Sequence, residues 1–246
     1  MTVRSGTASR RVVHCMGTVF SFDSRESGVS EAALDEAAVL LSEIDETFST
    51  YRDSSEISRL ARGEVSRADC SIDVRFVLAE CERYRLGTDG YFSAYAAGTL
   101  DPSGYVKGWA IEQASDLLRE AGSAHHCVNG GGDVQCVGGA APATPWRIGI
   151  ADPRTLGKII RVVAGTDYAV ATSGVQQRGA HIVDPHTGTP PTGLLSLTIV
   201  GPRLTEADVY ATAGFAMGRH AREWAEGLIG YGAFAVTDDG STWSTF

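Results

Sequence analysis

The chain has 246 residues, of which 43% are hydrophobic, and it carries a formal net charge of −9. This length suits one large domain or two closely packed small ones, with enough apolar residues for a sizeable core. The acidic balance argues against nucleic acid or an anionic membrane as a partner, since both bind clustered Lys and Arg. A small anionic ligand is still compatible with it, because one metal ion or a few backbone N–H groups can hold a phosphate.

The cysteines and the N-terminal residues predict a cytoplasmic location. The five cysteines are odd in number and form no Cys-x-x-Cys, which favours buried free thiols over disulfides or a zinc site. The first residues contain arginines but no apolar run, so no signal peptide and no transmembrane span are predicted. Residues 1–10 are predicted to be a disordered lead, and residues 11–246 a single domain.

The first half of the chain predicts one interrupted β segment followed by helices. Residues 12–22 are rich in β-formers, and Gly17 breaks the run, as glycine often does where a ligand or another backbone comes close. Apolar spacing predicts helices over 30–48, 56–62, 71–86 and 105–121, with Ser30 as an N-cap. Residues 88–104 form a long loop rich in glycines and hydroxyls, which is typical of functional loops.

Strands dominate the second half. Short β runs on both sides of Asn129-Gly130-Gly131-Gly132 predict a hairpin. A helix is predicted over 206–229, with a break near Gly218. Further strands are predicted over 146–150, 159–163, 168–172, 180–183, 194–200, 233–236 and 242–246. Because helices and strands do not alternate regularly, the order indicates an α+β fold.

Residues 171–188 are predicted to form one wall of a polar ligand site. They combine a Thr-Ser-Gly turn, His181 on a short apolar run, and an Asp-Pro-x-Thr-Gly turn, and few of them are core formers. A lone histidine is more often structural than catalytic, and both readings stay open for His181. The turn that begins at Asp184 is equally explained as an Asx turn stiffened by Pro185.

Several polar residues elsewhere admit both a functional and a structural interpretation. Asp208 and Thr212 are four apart on a predicted helix and offer oxygen ligands suited to Mg²⁺, although Asp208 could also simply complement the helix dipole. Asp101 caps a helix or binds a ligand, and Lys107 is solvated or binds an anion. The glycines before Asp133 lack the spacing of a phosphate-binding loop, so a plain hairpin turn is favoured there.

Eight short motifs extend from about Met16 to Gly218, and in this order they resemble those of one family, the FAD:protein FMN transferases or ApbE-like flavin transferases. No single motif is decisive, but eight in family order are specific. The motifs are Met16-Gly17-Thr18, Ser49-Thr50-Tyr51-Arg52 with Ser55-Glu56, Asp89-Gly90-Tyr91-Phe92, Asp101 with Lys107-Gly108, Asn129 with Gly131-Gly132-Asp133, Ala171-Thr172-Ser173-Gly174, His181-Ile182-Val183-Asp184-Pro185 with Thr187-Gly188, and Ala207-Asp208 with Ala211-Thr212-Ala213.

The resemblance implies an α+β fold of two closely packed subdomains of mixed sheet and helices, with FAD in the cleft between them. It also implies Mg²⁺-dependent transfer of FMN from FAD to a Thr or Ser hydroxyl of an acceptor protein, a flavinylation that releases AMP. His181 would then be the base, and Asp208, Thr212 and the Gly104 carbonyl would bind Mg²⁺. The residues that would line the FAD site are Met16, Tyr51, Tyr91, Phe92, Ser93, Asp101 and Lys107.

The chain departs from the family pattern in two motifs, and the segment between Ser173-Gly174 and His181 is also short. Ser93-Ala94-Tyr95 stands where members usually have Asp-Pro-Thr, and His186 stands where many have arginine. Two other functions therefore stay under consideration: hydrolysis of the FAD diphosphate to FMN and AMP, and flavin binding without catalysis. The presence of His181, Asp208 and Thr212 argues against the second of these.

Overall fold

A computed structural model describes residues 9–25, 29–175 and 182–246 and shows an α+β fold, as the sequence predicts. The helices are α1 (Glu31–Phe48), α2 (Glu56–Ala61), α3 (Ile72–Gly87), α4 (Ser103–Glu120), α5 (Leu204–Met217) and α6 (Ala221–Glu226). The strands are β1 (Ser9–Cys15), β2 (Thr18–Ser24), β3 (His126–Gly130), β4 (Asp133–Val137), β5 (Trp146–Ala151), β6 (Ile159–Gly165), β7 (Tyr168–Gly174), β8 (Leu194–Gly201), β9 (Gly232–Thr237) and β10 (Thr242–Ser244).

Local signals placed the helix ends well. Ser30 caps α1, since its side chain accepts a hydrogen bond from the Ala33 N–H at 3.1 Å. Ser71 caps α3 in the same way, through the Val74 N–H at 3.3 Å. The predicted break near Gly218 is confirmed, because α5 ends at Met217 and Gly218 has a φ of 56°.

The predicted β segment at the start is a hairpin, and it begins earlier than expected. A two-residue turn at Met16 and Gly17, both with positive φ, joins β1 to β2. Ser9 and Arg10 belong to β1, so assigning residues 1–10 to a disordered lead was wrong for these two. The reason is long-range: Arg10 pairs with Asp23 on β2 at 3.1 Å, a partner that the polar local sequence does not reveal.

Eight strands form one antiparallel sheet in the order β1-β2-β3-β4-β7-β8-β9-β10. Neighbours in the sheet are mostly neighbours in sequence, with helices α1–α4 inserted between β2 and β3 and the β5–β6 hairpin between β4 and β7. The sheet is continuous from β4 to β7, although the β5–β6 hairpin lies between these two strands in the chain. The hairpin predicted at residues 129–132 is confirmed as the β3–β4 turn.

The two faces of the sheet are covered differently. Helices α1, α4 and α5 pack on one face and enclose the main core, which includes Phe20, Leu41, Ile111 and Leu197. The β5–β6 hairpin covers part of the other face, where the buried Trp146 belongs to a smaller cluster. This arrangement leaves the N-terminal half of α4 and the middle of α5 in contact next to the end of β7.

Two further sequence predictions can be compared with the fold. The strand predicted over 180–183 lies partly outside the described residues, and its described part, Ile182 and Val183, is in no strand. All five cysteines are free thiols, and Cys70, Cys81 and Cys136 are buried as predicted, whereas Cys15 and Cys127 are partly exposed. Burial raises the pKa of Cys81 to about 12. Among the described helices, none is both long and apolar enough to cross a membrane.

His126 makes stability depend on pH. It is fully buried between the hydroxyls of Ser115 and Ser123, at 2.8 and 2.9 Å, and burial lowers its pKa from 6.5 to about 4. His126 therefore binds a proton below about pH 6.5 in the unfolded chain, but only below about pH 4 in the folded chain. Stability from this group is fully present above pH 6.5 and falls as the pH drops, by about 2 kcal/mol between pH 7 and pH 5.

Urea denaturation of wild type and His126→Gln at pH 7 and pH 5 measures this effect. The variant is less stable at pH 7, but it should lose about 2 kcal/mol less than the wild type on acidification. The exposed His220 gives a matched control, because His220→Gln should keep the full pH dependence. Equal acid sensitivity of the wild type and His126→Gln would contradict the assignment.

Candidate active site between α4, α5 and β7

The loop between α3 and α4 forms one side of a cleft. Thr88 fixes its start, because the Thr88 hydroxyl donates to the Tyr84 carbonyl at 2.8 Å and accepts from the Phe92 N–H at 3.0 Å. Asp101 fixes its end, since its Oδ1 accepts the Ser103 N–H in the first turn of α4 at 2.9 Å. The N-cap residue of α4 is Pro102, so Asp101 supports the helix start from one position earlier, and it also lines the cleft.

Helix α5 is set in place by side chains from distant segments. Its N-cap, Arg203, makes no side-chain cap hydrogen bond. Instead, the buried Glu112 on α4 accepts the Thr205 N–H at 3.1 Å, and Gln135 on β4 accepts the Leu204 N–H at 3.0 Å. Asp208 lies one turn further on and is not the group that compensates the helix end, so the dipole interpretation of Asp208 does not hold.

Asp208 and Lys107 meet inside the cleft. Asp208 is 3% exposed, and its Oδ2 lies 3.0 Å from Lys107 Nζ and accepts the Gly108 N–H at 3.0 Å. Lys107 is paired with two carboxylates rather than solvated, since Asp133 also forms an ion pair with it. Gly108 makes this meeting possible, because a Cβ there would lie 2.9 Å from both Asp208 Cβ and the Leu204 carbonyl oxygen.

Two hydroxyl groups, of Thr212 and Ser173, line the same cavity as Asp208. Thr212 lies one turn beyond Asp208, and its Oγ1 is 3.5 Å from Ser173 Oγ on β7. Gly104 is adjacent, since a Cβ on it would lie 3.5 Å from Thr212 Oγ1. No cluster of three or more His, Cys, Asp or Glu side chains suited to a metal occurs within the described ranges. The donors present are one carboxylate, hydroxyls and backbone oxygen, which suit a hard, partly hydrated cation such as Mg²⁺.

Tyr91 and Phe92 occupy different environments. The ring of Tyr91 is partly exposed and packs edge-on against His186, with 4.5 Å between centroids. His186 Nε2 donates to the Asp89 carbonyl at 2.9 Å, so His186 joins the Asp-Pro-x-Thr-Gly turn to the loop of Tyr91. Phe92 is buried and packs against Tyr84. Of Tyr91 and Phe92, only Tyr91 therefore has an accessible ring.

Met16 and Tyr51 line a second cavity, between the β1–β2 turn and the end of α1. It adjoins the first cavity, because Ser103 and Lys107 line both. Tyr51 is 91% exposed at its rim and presents a free aromatic face. Inside, Arg52 pairs with the carboxylate of Asp45 at 3.0 Å. The predicted site residues that fall in the first cavity are Tyr91, Phe92, Ser93, Asp101, Gly104, Lys107, Asp208 and Thr212.

His181, the candidate base, lies outside the described residues, so its role stays a prediction from the sequence. The residues after it, Ile182 and Val183, line the first cavity. The turn that follows is an Asx turn, in which Asp184 Oδ1 accepts the His186 N–H at 2.9 Å. This turn therefore has a structural role of its own.

The predicted wall begins in strand β7 rather than in a Thr-Ser-Gly turn, and Asp133 beside it had no assigned role in the sequence interpretation. Thr172 and Ser173 on β7 line the first cavity. Asp133 is 0% exposed; its Oδ1 accepts the Thr172 N–H at 2.9 Å, and its carboxylate pairs with Lys107. A signal for Asp133 was available, since an acid directly before the apolar run of β4 needs a buried partner.

The ApbE family model matches residues 16–98 and 93–234, so this chain belongs to the ApbE family. It is 33% identical over 164 residues to an FAD:protein FMN transferase of Rhodobacter capsulatus, covering 62% of this chain and 31% of that protein. It is 24% identical over 272 residues to the Haemophilus influenzae FAD:protein FMN transferase, covering 82% and 79%. The chain spans half or less of the length of the R. capsulatus relative and of a Vibrio cholerae relative with the same name.

Solved structures show the same fold. The flavin transferase ApbE from V. cholerae superposes with a TM-score of 0.80 at 24% identity, covering 97% of this chain and 98% of that one. The apo form of the Pseudomonas stutzeri flavinyl transferase ApbE gives a TM-score of 0.82 at 22% identity, covering 100% and 97%. The fold predicted from the family resemblance is therefore confirmed.

Proposed function

We propose that this protein transfers FMN from FAD to a Thr or Ser hydroxyl of an acceptor protein and releases AMP. The observation that carries the proposal is the cleft itself. Eight of the predicted site residues, from Tyr91 to Thr212, line one cavity, although the chain separates them by up to about 120 positions. The relatives named FAD:protein FMN transferase support the reaction class.

The two adjoining cavities suit a long dinucleotide. Tyr91 in the first and Tyr51 in the second offer accessible aromatic faces on which flat ring systems can stack. Lys107 lies on the wall that the two cavities share, where it can meet the negative charge of a diphosphate. An acidic protein can thus bind an acidic substrate, because the compensating cations are local.

Asp208, Thr212 and the backbone of Gly104 would hold Mg²⁺. The ion, when bound, would neutralise charge on the diphosphate as the leaving phosphate develops it. Asp208 fits this task because it is buried, oriented by the Gly108 N–H and fixed on a helix whose start is tied to α4 and β4. The Ser173 hydroxyl lies beside Thr212 and can hold a coordinated water.

In the proposed reaction, the acceptor hydroxyl oxygen forms a bond to the FMN phosphorus while the bond from that phosphorus to the bridging oxygen breaks. AMP leaves with the bridging oxygen and its electron pair, and the hydroxyl proton passes to a base. A hydroxyl is a weak nucleophile at neutral pH, so a positioned base accelerates its attack. His181 is the proposed base, because it directly precedes residues that line the cavity.

Incubation with FAD and Mg²⁺, with and without a Thr-containing acceptor protein, tests the proposal. Transfer predicts AMP release that depends on the acceptor, together with a flavin-labelled acceptor. AMP release without acceptor would indicate FAD hydrolysis instead. Bound FAD with no AMP under either condition would contradict both reactions.

The free thiols are consistent with a cytoplasmic location, which stays part of the proposal.

We expect His181→Ala to slow FMN transfer by about 10²- to 10⁴-fold, the range contributed by one general base. FAD binding should change little, because the base acts on the acceptor hydroxyl. Single-turnover transfer and FAD fluorescence quenching measure the two effects separately. His186→Ala is the neighbouring control and should cost far less. An unchanged transfer rate in His181→Ala would remove it as the base.

A further inference from the structure

We infer that Asp133 is a positioning residue that holds the Lys107 ammonium so that Asp208 can bind a divalent cation. The inference rests on the proposed function, since it concerns the same cation site. It starts from the contact of Lys107 with two carboxylates at once, Asp133 and Asp208. The Lys107 ammonium thus lies between Asp208, the proposed cation ligand, and Asp133, which has no role in the proposed reaction.

The Asp133 carboxylate is held in a fixed position by its burial and its hydrogen bond. Its side chain is 0% exposed at the first residue of β4, and its Oδ1 accepts the Thr172 N–H of the adjacent strand β7 at 2.9 Å. The tight β3–β4 turn before it, at Gly131 and Gly132 with φ of 64° and 102°, fixes its backbone. A buried carboxylate so placed needs a counter-charge, and Lys107 is the cation that supplies it.

Lys107 is the partner whose side chain can change position, because lysine has a flexible four-carbon stem. Its side chain is 23% exposed and long, whereas Asp208 is 3% exposed and held by the Gly108 N–H. When a divalent cation approaches Asp208, the ammonium is repelled and must keep a partner nearby. Asp133 is that partner. Lys107 can therefore move away from Asp208 and still be paired with a carboxylate.

The charge count explains why both acids are needed. Two carboxylates and one ammonium leave a charge of −1, which attracts a cation. Without the Asp133 charge, Lys107 would neutralise Asp208 completely and compete with the metal for it. Asp133 therefore sets the cation affinity through Lys107, without touching the cation.

Mn²⁺ binds the same oxygen ligands as Mg²⁺ and can replace it as a probe. The cation affinity is measured by titrating the protein with MnCl₂, with FAD absent and present, and detecting free Mn²⁺ by EPR. We expect Asp133→Asn to weaken Mn²⁺ binding about 10- to 100-fold, the usual loss for a residue that orients a metal ligand. The asparagine oxygen can still accept the Thr172 N–H, so the fold should be retained. Asp152→Asn is the matched control, because Asp152 is equally buried but pairs with Arg154 away from the cleft.

The double variant Lys107→Met, Asp133→Asn separates positioning from a purely structural role. It should bind Mn²⁺ markedly more tightly than Asp133→Asn alone, because the competing ammonium is gone. Equal weakness of the double and single variants would overturn the inference, as would unchanged Mn²⁺ affinity in a folded Asp133→Asn. Absence of Mn²⁺ binding by the wild type would overturn the cation site itself. Acceptor-dependent AMP release remains an independent test of the proposed function.

Discussion

Replacing Asp208 by asparagine is expected to lower Mg²⁺-dependent AMP release by about 10²- to 10³-fold, the cost typical of losing one group that stabilises transition-state charge. The side chain keeps its shape, and its amide oxygen can still accept the Gly108 N–H. What is lost is the charge that would hold the cation. FAD binding without metal should change little, because Lys107 would still face the diphosphate. Steady-state AMP release and metal-free FAD titration measure the two quantities.

Asp116→Asn is the control for this prediction, because Asp116 lies on α4 near the surface and pairs with Arg119. It should keep wild-type activity. Higher Mg²⁺ concentrations should partly restore the Asp208 variant, since the loss is one of cation affinity. Loss of metal-free FAD binding in parallel with activity would count against the cation role and would make Asp208 a residue of the FAD pocket.

Gly108→Val is expected to lower the free energy of unfolding by about 3 kcal/mol or more, because α4 and α5 touch at this residue. Its Cβ would lie 2.9 Å from Asp208 Cβ and from the Leu204 carbonyl oxygen, and the two helices would have to separate. For a chain of this length, the melting temperature should fall by roughly 6–12 °C. The same displacement would move Asp208 away from Lys107, so activity should fall with it.

Gly87→Ala is the matched control for the thermal melt. Gly87 is the last residue of α3, and a Cβ there would have no heavy atom within 4 Å. Alanine has the higher helix propensity, so this variant should melt at the wild-type temperature or slightly above it. A Gly108→Val variant that melts like Gly87→Ala would mean that the helices do not approach as described.

Most of the secondary structure could be predicted from the sequence, because its causes are local. The apolar spacing along α1 and α3 and the serines before them give both the helices and their first residues. The start of β1 could not be predicted in this way, since Arg10 is fixed by Asp23 across the hairpin. Within the described residues, Ile182 and Val183 show the converse error, because they line the cavity and are in no strand.

For the candidate site as well, the residue types could be predicted from the sequence, whereas their contacts could not. The sequence by itself determined the family, the α+β class and most of the residues that line the cleft, because motifs preserve residue types in order. Only the tertiary structure decided how these residues are paired. Lys107 pairs with Asp133 as well as Asp208, and Glu112 caps a helix 93 positions away. Such pairs join segments that are distant in the chain, and their energies depend on burial and distance, which no local pattern records.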